Sequence, residues 1–283
     1  MKRGIRMPVK RSIITVLALA LATVSLQAGA HRAWIKPALS HVEGGNAWVT
    51  VDGAISDDLF EIDHMPLKLD GLVITAPDGA SVPAPTSVSG RQRTSFDLNL
   101  AQSGTYRISV VTATVMASYK DAASGETKRF RGSREAFEKE VPAGAAELVT
   151  SAMHSRLETW VSANKASSGA LKPSGVGLEM VPLTNPTELV AGETAKWRFQ
   201  LDGKPLPNFA FSLIPGGVRY RGVLGEMRLV TDTKGEVSVK LPVAGAYWLN
   251  ARFPVASEAG GPEQLRATGN RYSYAATFDI LPD

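Results

Sequence analysis

Residues 96–106, FDLNLAQSGTY, return 141 residues later as residues 237–247, VSVKLPVAGAY, with the apolar, Gly and Tyr positions in register. Apolar residues at every second position (Phe96, Leu98, Leu100; Val237, Val239, Leu241) describe a half-buried strand. Three residues and a glycine then make a turn, and Gly-x-Tyr enters the next strand. A tyrosine at such a corner buries its ring and bonds its hydroxyl to the turn backbone, as in the tyrosine corner of β-sandwich domains. The competing reading is two ordinary glycine hairpins that resemble one another by chance. Read as a repeat, the two copies predict two sandwiches in one chain.

The flanking sequence extends this pattern. In the first half, residues 47–51 (AWVTV), 72–75, 94–100 and 106–115 are short runs of β-branched and aromatic residues bounded by Gly, Pro, Asp or Ser. In the second half, residues 194–201 (TAKWRFQL), 210–214, 227–231, 236–241, 247–253 and 273–281 read the same way. Asp78-Gly79, Asp202-Gly203, Pro215-Gly216-Gly217 and Lys234-Gly235 supply the turns between them. Frequent turns between short strands argue for antiparallel sandwiches over a parallel βα fold. Helical composition is confined to residues 132–140 (GSREAFEKE), stopped by Pro142, so helix should stay under about 10% against a base rate of roughly 30–35%. Residues 156–163 (RLETWVSA) alternate again, and residues 165–177 (KASSGALKPSGVG) have linker composition. The expected architecture is all-β: two Ig-like or prealbumin-like antiparallel β-sandwich domains, over 31–164 and 178–283, joined by a linker over 165–177.

The chain opens with a targeting signal. Lys2, Arg3, Arg6, Lys10 and Arg11 precede an apolar run from Ser12 to Leu26, and Ala28-Gly29-Ala30 is a small-x-small cleavage site. The apolar run falls short of the 18 residues of a spanning helix, so the reading is a signal peptide over 1–30, export to the periplasm, and no membrane span after cleavage. Losing five basic residues and no acid takes Lys+Arg from 31 to 26 against 27 Asp+Glu, a net charge of −1. The basic balance of the precursor is therefore no sign of a nucleic-acid partner. The absence of cysteine in an exported chain excludes disulfides and thiolate metal sites.

Four segments carry a family resemblance: AHRAWIKP (30–37), NAWVTVDGAISDDLFEIDHMPLKLDGL (46–72), RLETWVSANK (156–165) and TDTKGEVSVKLPVAGAYWL (231–249). Together they resemble a bacterial periplasmic family of unknown function often labelled a nickel or cobalt uptake component. The second half also resembles a prealbumin-like sandwich module. What the resemblance implies is a periplasmic β-sandwich protein concerned with transition-metal uptake, with a metal ion as ligand and an envelope metal transporter as partner.

The candidate chemistry rests on four histidines, since imidazole suits Ni, Cu and Zn and no thiolate competes. Cleavage after Ala30 would give His31 an α-amine beside its ring nitrogen, and a second imidazole would complete a three-nitrogen brace for Cu(II) or Ni(II). His64 is the best second ligand, being preceded by Asp57, Asp58, Glu61 and Asp63. Asp63 is assigned as an axial ligand or as a group orienting an imidazole. The competing reading of His64 is a core histidine sharing strand parity with Phe60 and Ile62. His41 and His154 lack neighbouring carboxylates and read as surface residues. G-x-S-x-G, H-E-x-x-H, P-loop and dinucleotide-binding motifs are missing, which disfavours an enzyme. The leading expectation is a periplasmic accessory protein binding Ni, Co or Cu. The alternatives are a non-catalytic envelope scaffold using exposed aromatics such as Trp34 or Trp248, and a copper-brace oxygenase.

Overall fold

A computed structural model describes residues 31–254 and 269–283. The expected leader over 1–30 and its cleavage site lie outside the described residues. About 54% of the described residues are strand and 6% are helix, so the fold is all-β. Among the described residues no helix is long and apolar enough to cross a membrane. The expected helical stretch becomes α1 (Arg134–Glu140), whose first turn is capped by the Ser133 side chain accepting the Ala136 N–H. A single turn, α2 (Val218–Arg221), lies between two left-handed glycines, Gly217 and Gly222.

Among the described residues the strands form three sheets. A five-stranded sheet has the order β1 (Arg32–Pro37), β3 (Trp48–Ser56), β8 (Thr94–Asn99) and β7 (Ser87–Ser89), with β4 (Met65–Pro66) also paired to β3. A four-stranded sheet joins β12 (Leu178–Pro182), β13 (Thr194–Leu201) and β14 (Lys204–Pro205), with β17 (Glu236–Lys240) on β13. Between them runs a ten-stranded sheet: β16 (Met227–Val230), β15 (Ala210–Pro215), β18 (Gly245–Phe253), β19 (Gly269–Ile280), β11 (Ala146–Ala163), β9 (Gly104–Lys120), β5 (Leu72–Thr75) and β6 (Ser81–Val82). Its side members are β10 (Thr127–Gly132) on β9 and β2 (His41–Val42) on β11.

The halves expected as separate sandwiches meet in this sheet, where β11 pairs with β19 in parallel from Ser151↔Gly269 to Thr159↔Thr277. His31–Asp283 is accordingly one compact unit. Strand β11 explains why: Leu157, Val161 and Ala163 enter one core, with Ile35, Val51, Phe96, Leu98, Tyr106 and Ile108. Trp160, from the opposite face, enters a second core with Trp197, Phe199, Leu213, Tyr247, Leu249 and Phe278. All eight residues from Arg156 to Ala163 are buried, the pattern of a strand covered on both faces. The expected linker is packed as well: Ala170 is buried, and the Ser167 hydroxyl accepts the Thr105 N–H at 2.9 Å.

The repeated segments occupy equivalent places. Each leaves an outer sheet, β8 or β17, turns at a glycine with positive φ (Gly104, 138°; Gly245, 128°), and enters the central sheet as β9 or β18. The segments are therefore crossovers between sheets, not hairpins. Tyr106 and Tyr247 are buried; the Tyr106 hydroxyl accepts the Gln102 N–H at 2.7 Å, and the Tyr247 hydroxyl donates to the Val243 carbonyl at 3.0 Å. Replacing either tyrosine by Phe should lower stability by about 1 kcal/mol, the net worth of one such bond, read from the urea midpoint. An unchanged midpoint in both variants would separate the corner geometry from stability.

A charged network lies inside the unit. The Glu158 carboxylate accepts from the Ser109 hydroxyl (2.9 Å), Arg156 (3.2 Å) and the Tyr274 hydroxyl (2.8 Å), while the buried Arg107 Nε stands 3.9 Å away. Burial, reinforced by the Glu158 charge, pushes the Tyr274 hydroxyl far above the ordinary tyrosine range, so it stays a donor. Glu179 accepts from the Ser174 N–H and hydroxyl, the Gly175 N–H and Gln200. Burial alone pushes its carboxyl up, but those hydrogen bonds and the Arg156 charge outweigh it and leave the group below its ordinary value of 4.5. A carboxyl depressed by folding stabilises above its unfolded pKa and loses that contribution as pH falls through the folded one. Glu179→Gln should therefore flatten the loss of stability below pH 4.5, measured as urea midpoint against pH.

Candidate metal centre

The centre is assembled where β1 begins and β3 ends. These strands pair antiparallel with Arg32 opposite Ser56, which brings His31 alongside the loop that follows β3. Two tryptophans fix this corner from beneath. Trp34 Nε1 donates to the Ser56 hydroxyl at 2.7 Å, and Trp248 Nε1 donates to the Ala33 carbonyl at 2.9 Å. Both indoles are buried, in a cluster with Ala54, Leu59 and Ile214. The surface role expected for Trp34 and Trp248 is thereby corrected: at 3% and 7% exposure, they support the corner from within. Their signal was ambiguous in sequence because tryptophan is amphipathic, equally suited to a buried site with a partner for its N–H and to an exposed contact.

The loop after β3 turns back at once. Glu61 N–H donates to the Asp58 carbonyl at 3.0 Å, Phe60 takes a left-handed φ of 69°, and Leu59 fills the tryptophan cluster. The Ser56 hydroxyl donates to the Glu61 carbonyl, and the Phe60 ring meets Trp34 edge-on at 5.7 Å. These residues do not follow strand alternation, so the parity linking His64 with Phe60 and Ile62 has no force; Ile62 is 39% exposed.

His31 and His64 come together. Their rings stack with centroids 3.9 Å apart and planes 23° from parallel. His31 Nε2 lies 3.1 Å from Asp57 Oδ1, and the side chains of both residues are about half exposed. One donor atom from each of His31, Asp57 and His64 lies within 4.8 Å of the other two. Two donors each about 2.1 Å from one ion are at most about 4.2 Å apart, so closure by less than about 1 Å completes a three-point site. The set of two imidazoles and one carboxylate suits borderline divalent ions such as Ni, Cu or Zn.

Asp63, assigned from sequence to the metal, is occupied elsewhere. Its Oδ1 accepts the Asp57 N–H at 3.0 Å and its Oδ2 accepts the Asp58 N–H at 2.9 Å. The carboxylate beside the imidazoles is that of Asp57, which the sequence offered only as one of four acidic residues preceding His64. His41 and His154 remain apart from the cluster; both are half-buried, and His154 stacks on Tyr272 with centroids 5.0 Å apart. A groove of about 610 Å³ is lined by Lys196, Asp232, Glu236 and neighbours and by none of the three candidate ligands. With His31 and Asp57 about half exposed, the candidate centre lies at the surface.

An all-β unit carrying a shallow histidine–carboxylate cluster at one strand junction defines the class of protein. Residues 28–254 match the family described as Domain of unknown function (DUF4198), and the chain belongs to that family. No curated protein matches it. Among solved structures, the D0-D1 domain of Intimin is similar over 87% of this chain and 97% of its own, at 12% identity and a TM-score of 0.21, a correspondence too loose to bear on the site.

Proposed function

We propose that this protein is an exported, non-catalytic accessory protein that binds one Ni, Co or Cu ion through His31, His64 and Asp57 and presents it to an envelope partner concerned with metal uptake. The observation that carries this reading is the convergence of two stacked imidazoles and a carboxylate, from the residue preceding β1 and from the β3–β4 loop, with donor atoms within 4.8 Å of one another. Half-exposed ligands support cargo over a structural ion, because a buried, closed four-ligand shell holds metal permanently whereas an open one lets it exchange. The sequence resemblance to a family often labelled a nickel or cobalt uptake component supports the same reading. Processing after Ala30 would add the His31 α-amine as a further nitrogen.

The test is metal analysis of the protein purified from the envelope fraction, followed by titration of the stripped protein with Ni(II), Co(II) and Cu(II). One equivalent of tightly held ion is the expected result. Protein that takes up none of the three would sink this reading and leave the non-catalytic envelope scaffold in its place.

A further inference from the structure

The loop between β3 and β4 places two of the three donors, and one side chain that is not among them ties its ends together. Asp57 and His64 are seven positions apart on this loop, and Asp63 immediately precedes His64. Through its two oxygens Asp63 accepts the N–H groups of Asp57 and Asp58, closing the loop across its mouth. The other anchors of Asp57 are also on its backbone: its carbonyl accepts from Arg32 Nη1 at 2.9 Å, and the preceding residue, Ser56, is the last of β3. The Asp57 main chain is thereby fixed at both ends, and its side chain reaches the His31 ring.

We propose, resting on the metal-binding reading above, that Asp63 is the positioning residue of the centre. It does not touch the ion; it couples the Asp57 carboxylate to the His64 imidazole so that both face His31 at once. The chemistry favours this division of labour. A carboxylate accepting one N–H on each oxygen is held in a bidentate clamp, and turning it towards an ion would break both of those hydrogen bonds. Asp57 has the complementary arrangement, a fixed backbone and a carboxylate turned to the His31 ring. Groups behind the ligands typically change metal affinity by about 10–100-fold when removed, without changing which atoms bind.

The experiment titrates wild-type, Asp63→Asn and Asp57→Asn proteins with Cu(II) and records the electron paramagnetic resonance spectrum of each saturated complex. An asparagine at 63 keeps one acceptor but points an NH₂ at the second amide, so it half-opens the clamp at nearly constant size. Asp63→Asn should bind about 10–100-fold more weakly with the wild-type spectrum, whereas Asp57→Asn should alter the spectrum by losing an oxygen donor. Equal affinity of Asp63→Asn and wild type, or a changed spectrum in Asp63→Asn, overturns the proposal while leaving metal binding itself intact. Failure of the wild type to bind Cu(II), Ni(II) or Co(II) would instead remove the reading on which it rests. Should Asp63→Asn not fold, hydrogen exchange of the Asp57 and Asp58 amides in wild-type protein decides the matter. Protection that persists when Ni(II) is added supports the clamp, and protection lost on loading means that Asp63 has swung to the metal.

Discussion

Replacing Glu158 by alanine should destabilise the protein by about 3–5 kcal/mol, the range for breaking a buried ion pair by removing one partner. The carboxylate is 1% exposed and accepts from Ser109, Arg156 and Tyr274, with Arg107 beside it. Its loss takes the acceptor from two buried hydroxyls, those of Ser109 and Tyr274, and removes the nearer of the two carboxylates beside Arg156, which keeps Glu179 at 3.6 Å; Arg107, whose Nε already has no hydrogen-bond partner, loses its neighbouring charge. Glu158→Gln keeps acceptor oxygen and volume but removes the charge, so it should fall between wild type and alanine. Urea unfolding of the three proteins measures the series. A loss below about 1 kcal/mol in Glu158→Ala would mean that water enters and solvates the remaining groups, which their burial argues against.

The other large effect concerns the metal. His64→Ala should weaken Cu(II) or Ni(II) binding by about 1,000-fold or more, because removal of a donor must exceed the 10–100-fold typical of a group behind it. His31→Ala should do the same. His41→Ala and His154→Ala, outside the cluster, should leave affinity unchanged, which separates a defined centre from general histidine binding. Heat stability provides an independent reading: an ion present at 1,000 times its Kd raises stability by about 4.1 kcal/mol, a gain that His64→Ala should forfeit at that concentration. Insertion of one glycine before His31 tests the contribution of processing, since it keeps both imidazoles and displaces the α-amine. Equal affinities in wild type and His64→Ala would place the ion elsewhere.

The sequence revealed what short-range physics controls. The corner tyrosines were legible because ring burial, hydroxyl bond and turn glycine all fall within eleven residues, and the repeat displayed them twice. The pairing of His31 with His64 was reachable by chemistry alone, since those residues combine imidazole with a processed terminus or nearby carboxylates. The choice between Asp57 and Asp63 was not. Both are aspartates in one acidic loop, and only the fold decides which gives its oxygens to backbone N–H groups and which turns them to His31. Strand parity misread this loop because Phe60 leaves the extended region. The parallel junction of β11 with β19 was equally hidden: its partners lie 118 residues apart, and no local pattern encodes such a register. Residues 165–177 looked like a linker from their Ser, Gly, Lys and Pro content, yet the same small polar residues cradle Glu179 and Arg156.

The double covering of β11 governs how the molecule could be divided. Cutting the chain near residue 170 would give each fragment one face of the shared sheet without its cover, and would leave Glu158 and Glu179 on different pieces of a single ionic network. A graft of the first half alone would carry the histidine cluster but lose Trp248, the prop beneath Ala33. Segment exchange with other sandwiches, an easy operation where domains hang on flexible tethers, is closed to this one. The histidine–aspartate cluster travels only with the whole unit from His31 to Asp283.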